Sequence, residues 1–212
     1  MKYPKILTVF AFCFLFLTFL SGCALVIQKG RRSDLDKISA LEQELAELRS
    51  ARSSLERKLF KEIEDKQVKL EMKDKGLVIT VLAEVLFDSG KAQLRKESLP
   101  ILAKVAGILK GQLKNHQIGV EGHTDNVPIK YSKWDSNWDL SSNRALSVLH
   151  YMEEQGVAAK RLSGMFYGEY NPVASNSDKQ GRQLNRRVEI VVLPRLVKEL
   201  DIKEAPEEEL LK

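Results

Sequence analysis

Reactive and metal-binding side chains are scarce in this chain of 212 residues. It has two cysteines, Cys13 and Cys23, and three histidines, His116, His123 and His150. No Cys or His pair falls at the spacing of a zinc site, and no Gly-x-Ser-x-Gly nucleophile turn is present. Charge of one sign is not concentrated either. Lys and Arg number 34 against 29 Asp and Glu, and the two signs alternate along most of the length. The formal net charge of +5 is therefore a solvated surface and gives no footprint for nucleic acid. A long membrane-type apolar run is also missing. Ile6 to Leu20 is apolar apart from Thr8 and Thr18, but about 15 helical residues reach only ~22 Å, short of a ~30 Å hydrocarbon core.

What the N-terminus does contain is a basic start with Lys2 and Lys5, that short apolar run, and then Leu20-Ser21-Gly22-Cys23. A basic region, a short apolar region and small residues in that order predict a signal peptide over residues 1–22. The four residues ending at Cys23 are similar to a lipobox, where bacteria attach a diacylglycerol to the cysteine thiol and cleave just before it. The alternative is an uncleaved signal anchor with an incidental cysteine. Cys13 leaves with the signal peptide and Cys23 is consumed by lipidation, so the mature chain keeps no thiol. Several acyl chains, palmitate among them, give stable membrane anchoring where one does not. Ala24 after the cysteine favours the outer membrane, with the chain facing the periplasm.

Residues 23–33 read as a lipidated, flexible leader. From Asp34 the pattern changes: Ile38, Leu41, Leu45, Leu48, Leu55 and Leu59 repeat at three- and four-residue steps, broken once at Arg52, with no Gly or Pro until Gly76. The expectation is a helical spacer over residues 34–72 with coiled-coil character and homo-oligomer formation through residues 34–70. The alternative is a single helix folded back on the domain. A globular domain is expected over residues 73–194, bounded by Gly76. It holds strands at 77–87, 117–121, 161–167 and 187–193, and helices at 91–111 and 141–155 capped by Ser98 and Ser141. The order βαβαββ predicts an α+β fold, a two-layer sandwich with helices on one face of a mixed sheet. The last residues, 195–212, read as a charged tail.

Three segments carry the chemistry: Gly122-His123-Thr124-Asp125-Asn126 at a strand end, Asn137-Trp138-Asp139-Leu140-Ser141-Ser142-Asn143-Arg144-Ala145 at a helix start, and Asn185-Arg186-Arg187-Val188-Glu189-Ile190 entering the last strand. With Val85-Leu86-Phe87-Asp88 they stand in the order of the OmpA-like peptidoglycan-binding family, which the chain resembles from about Leu77 to Leu193. The loop between Asp125 and Arg144 is similar in wording to the MotB branch of that family. The resemblance implies a ligand, the diaminopimelate residue of the peptidoglycan stem peptide. It implies Asp125 and Arg144 as principal contacts, Asn137 and Leu140 as groove-lining positions, and Arg187 in preference to Arg186 at the border. Diaminopimelate is zwitterionic at its free end, so Asp125 can accept from its ammonium while Arg144 forks onto its carboxylate. With Ser141 as the cap, Arg144 falls in the first helical turn, where unpaired amides also favour a carboxylate. Trp138 is expected in the core, with stacking on a glycan ring as the alternative.

Other functions read less well. Ser141, His123 and Asp125 make a nucleophile set on paper only, since Ser141 is better explained as a cap, so no catalysis and no cofactor or metal are expected. A flagellar stator subunit of the MotB kind needs an acid within its membrane helix, and no Asp or Glu occurs between Ile6 and Ile27. An envelope assembly scaffold acting through the helical segment is the third reading. The sequence thus predicts a lipoprotein that tethers the outer membrane to peptidoglycan.

Overall fold

The computed structural model describes residues 34–130 and 133–195. The expected signal peptide, Cys23 with its leader, and the tail beyond Arg195 lie outside the described residues. The chain divides into two units, one holding the described residues 34–43 and the other running from Glu44 to Leu196. Residues 34–43 are helical, with Ile38 and Leu41 exposed. No helix among the described residues is long and apolar enough to cross a membrane.

The second unit opens with helix α1, residues 44–58, and the short helix α2, Phe60–Glu64. Strands β1 (Val68–Lys73) and β2 (Gly76–Leu82) form a hairpin, followed by a single helical turn α3 (Ala83–Leu86). Helix α4 (Leu99–Lys110), β3 (Ile118–His123), helix α5 (Asn137–Glu154), β4 (Leu162–Gly168), helix α6 (Lys179–Asn185) and β5 (Arg187–Val192) complete it. The strand order across the sheet is β1-β2-β5-β3-β4, antiparallel except for β3 and β4. A parallel neighbour needs a crossover, and α5 supplies it. The α+β class with helices over a mixed sheet is as expected, with one strand more at the front.

That extra strand corrects the boundary at residues 72 and 73. Val68-Lys69-Leu70-Glu71-Met72-Lys73 alternates apolar and charged residues, the period of a half-buried strand and not of a helix. Val68 and Leu70 point into the core. The turn pairs Lys73 with Gly76, whose φ of +114° suits glycine and whose Cβ, if present, would strike the Val192 carbonyl at 2.0 Å. Gly76 is therefore a hairpin residue and not a domain boundary.

The helical pattern at 34–72 is corrected with it. Leu48, Ala51, Leu55 and Leu59 are buried in the same apolar cluster as Leu77, Ile79 and Val81 of β2, and Leu102, Val105 and Leu109 of α4. A seam used inside the domain is not available to a second chain, so a coiled coil through 34–70 cannot use these positions. The helix is also pinned by polar groups. Glu44 takes hydrogen bonds from His116 Nε2 at 2.8 Å and from Arg195 Nε at 2.6 Å, and Glu47 pairs with Arg195 at 2.9 Å. Arg195 thus belongs to the domain and not to the tail.

Two cap assignments change as well. Ser98 has helical backbone angles and donates its hydroxyl to Arg95 O, and the helix expected over 91–111 starts only at Leu99 after a 3-10 turn at Lys96–Ser98. Helix α5 begins four residues ahead of Ser141, capped by Ser136, whose Oγ accepts from Asp139 N and donates to the Asp139 carboxylate at 2.6 Å.

If α1 is part of the core, Leu55→Ala removes a fully buried side chain. It is expected to cost the domain about 2–5 kcal/mol in urea denaturation, whereas a free spacer helix would leave the midpoint unchanged.

Candidate peptide-binding groove

The carboxyl end of β3, the start of α5 and the entry to β5 meet around a groove of about 630 Å³ that includes Asp125, Asn137, Leu140, Arg144 and Arg186. Four of the five residues expected at the site are brought together there. Arg187 is not.

Asp125 lies just past β3. Its Oδ1 accepts from Val127 N at 3.1 Å, closing a side-chain turn, and its Oδ2 accepts from Arg186 Nη1 at 2.6 Å. Asn137, at the first position of α5, ties this turn down. Its Nδ2 lies within hydrogen-bond reach of Asp125 O, Val127 O and Glu169 Oε2. Asn137 therefore holds Asp125 in place, and Leu140, nearly buried, contributes the apolar side of the groove. Thr124 Oγ1, also on the lining, is buried with no hydrogen-bond partner among the described residues.

Arg144 stands on the third turn of α5 and not on the first, because the cap is Ser136. The amides of the helix start consequently do not act beside its guanidinium. What places it is packing. Ser141 fits against β3 only because residue 122 is glycine: a Cβ there would lie 2.1 Å from Ser141 O. Ser141 Oγ donates to Trp138 O and accepts from Gly168 N, so backbone groups take both of its hydrogen-bonding roles. One turn on, the Arg144 guanidinium lies 5.2 Å from the Phe87 ring centre, and its Nε donates to Lys91 O at 3.0 Å. Only 5 % of the residue is exposed. Among the described residues no carboxylate is bonded to it. Burial, helped by the nearby positive charge of Arg186 and opposed by Asp125, lowers its pKa to about 10. It stays a cation, but one held in poor solvation.

Adjacent residues leave a strand on opposite sides, and here Arg186 takes the groove while Arg187 takes the other face. Arg187 Nε donates to Glu189 Oε1 at 2.7 Å, and its Nη groups to Asn185 O and Asn171 O. Lys75 Nζ bridges Glu189 at 2.8 Å and Glu121 at 2.6 Å. Burial raises the Glu189 pKa, but the bonds from Lys75 and Arg187 outweigh it and bring the carboxyl to about 2. His123 stacks on Tyr167 at 5.0 Å, and burial is the chief cause that lowers its pKa. Sequence spacing offered no metal set, yet the fold gathers Glu121, His123 and Glu189, and separately Glu44, Glu47 and His116, with ligand atoms within 4.8 Å. Both sets already have cations on their carboxylates, Lys75 and Arg187 in one and Arg195 in the other. They act as structural networks.

Asn185 has a structural part too. Fully buried, it accepts from Val173 N and Ala174 N and donates to Ala174 O and Asn176 Oδ1, fixing the loop before α6. The residue that sequence reasoning ranked too low is Arg186; the signal was the alternation of a strand, taken in the wrong phase. Trp138 is not in the core. It is 43 % exposed, with Tyr170 stacked on it and Phe166 against its edge.

Residues 86–186, which include the whole groove apart from its rim at Ala83 and Glu84, match the model of the OmpA family, and the chain belongs to that family. It is 41 % identical over 150 residues to Motility protein B of Bacillus subtilis, covering 70 % of this chain and 57 % of that one. To the probable lipoprotein YiaD of Escherichia coli it is 37 % identical over 119 residues, 56 % of this chain and 52 % of that one. The cell wall anchor of the T6SS from Pseudomonas aeruginosa superposes with a TM-score of 0.61 at 35 % identity, covering 66 % of this chain and 97 % of that one. The chain spans about half the length of the curated relatives it matches.

The two neighbouring arginines are expected to differ sharply when removed. Arg187→Ala takes one of two cations from a buried Glu189, leaving Lys75, and should cost about 3 kcal/mol in chemical denaturation. Arg186→Ala, at a part-exposed pair, should cost no more than ~1 kcal/mol. Equal losses would contradict the division of labour between the two faces.

Proposed function

We propose that the domain is a non-catalytic grip on peptidoglycan that takes the diaminopimelate of the stem peptide in the Asp125–Arg144 groove. The observation that carries this is Arg144, a buried guanidinium without a carboxylate among the described residues, set across the groove from an Asp125 already bonded to Arg186. Two cations and one acid leave the centre with one positive charge to satisfy, which suits a ligand carboxylate. The ammonium beside that carboxylate goes to Asp125, with Glu84 and Asp88 on the rim as further acceptors. The likeness to a cell wall anchor supports the same reading.

On this reading the whole chain is a lipoprotein that ties the outer membrane to the wall, with Cys23 as the lipid site and the domain facing the periplasm. The lipobox-like Leu20-Ser21-Gly22-Cys23 and the likeness to a probable lipoprotein support it. Palmitate labelling of cells should mark the chain and be lost in Cys23→Ser; labelling that persists in this variant would end the lipoprotein reading. The likeness to Motility protein B favours a second reading, a component of the flagellar motor. A deletion strain that swims normally would remove it.

Binding is expected to appear as saturable pelleting of the full chain, in mild detergent, with purified sacculi. One lost charge-assisted contact of about 1.5–3 kcal/mol predicts a 10- to 100-fold weaker affinity for Arg144→Ala, and a similar loss for Asp125→Ala, with unchanged circular dichroism. Folded variants that pellet like the wild type would overturn the proposal.

A further inference from the structure

Among the described residues, three large aromatic side chains cluster outside the groove and outside the core. Trp138, Phe166 and Tyr170 are 43, 51 and 68 % exposed, yet they are organised. Tyr170 lies parallel to Trp138, ring centres 5.2 Å apart and 25° between planes; Phe166 meets Trp138 edge-on at 6.3 Å. Trp138 in turn rests over Gly168, where a Cβ would touch its ring at 3.4 Å. Trp138 is thus a rigid backing, and the ring faces turned to solvent belong to Tyr170 and Phe166. Organised aromatic faces left in water cost hydration free energy unless a partner covers them.

We infer that this aromatic platform is a subsite for the glycan strand of peptidoglycan, adjoining the stem-peptide groove. The inference rests on the peptidoglycan reading of that groove. Continuity of the two surfaces supports it. Trp138 follows Asn137, and Tyr170 follows Glu169, and the side chains of Asn137 and Glu169 are bonded to each other at 2.7 Å beneath the Asp125 turn. Any ligand held at Asp125 therefore sits one residue away from the platform on two separate segments. Length agrees as well. Trp138 and Arg144 are six residues apart on α5, about 120° around a helix about 10–12 Å across, a chord of roughly 9–10 Å. Two or three extended residues between a sugar and diaminopimelate span roughly 7–10 Å. The chemistry is that of a pyranose ring, whose C–H faces stack on Tyr170 and Phe166 while its hydroxyls meet the neighbouring carboxylates of Asp139 and Glu169.

The two tryptophans separate the two subsites spectroscopically. Trp134 donates Nε1 to Gly90 O on the groove rim, and Trp138 backs the platform. In the full chain, peptide-free glycan strands are expected to shift the Trp138 indole N–H resonance, and diaminopimelate to shift that of Trp134. Tyr170→Ala should weaken the glycan response about tenfold and leave the diaminopimelate response intact, since it touches only an exposed ring. Arg144→Ala should do the reverse. Glycan strands that leave Trp138 unmoved, or a glycan response that survives Tyr170→Ala together with Phe166→Ala, would overturn the platform while the diaminopimelate response still stands. A change of oligomeric state in Tyr170→Ala with unaltered glycan binding would make the patch a protein contact and also sink the inference.

Discussion

The site depends on the approach of α5 to β3 at Gly122. No side chain fits between that glycine and the Ser141 carbonyl, so helix and strand lie as close as backbones allow. From this contact the rest follows in order. Ser141 turns its hydroxyl onto Gly168 N and joins the helix to β4. Arg144, three residues on, is driven over the Phe87 ring instead of out into water. Asn137, at the other end of the same turn, reaches the loop that carries Asp125. A bulkier residue at 122 would lift α5 and loosen all three attachments together.

The electrostatics divide along the two faces of β5. On one face Arg187, Glu189, Lys75 and Glu121 neutralise one another and are finished within the fold. On the other, Arg186 and Asp125 form a pair beside Arg144, which has no carboxylate among the described residues. A buried cation without a counter-ion is unfavourable in the unbound protein and becomes favourable when a carboxylate arrives. On the proposed reading, the same imbalance is what draws an anion next to an ammonium into the groove.

Much of this was legible in the chain. The Gly-His-Thr-Asp turn, the Arg144 position and the alternation of helices and strands located the groove and the fold. What misled was period and phase. The leucine repeat from Ile38 to Leu59 looks the same whether it meets a second chain or its own sheet, because burial and not pattern distinguishes them. Val68 to Lys73 alternates as a strand but follows a helix without a Gly or Pro to mark the change. Ser141 and Ser136 are both good caps in isolation; Asp139, whose amide donates to Ser136 Oγ and whose carboxylate accepts from it, decides between them. Arg186 and Arg187 could be told apart only by knowing which face of β5 meets the groove.

The central claim is that Arg144 waits for a carboxylate adjacent to an ammonium. Its most direct test is calorimetric titration of the full chain with diaminopimelate, with cadaverine and with pimelate. Cadaverine keeps both amines and lacks both carboxylates, and pimelate keeps both carboxylates and lacks both amines. The account predicts that diaminopimelate binds at least about tenfold more tightly than either, one charge-assisted contact being worth ~1.5–3 kcal/mol. Equal affinities for all three would contradict it.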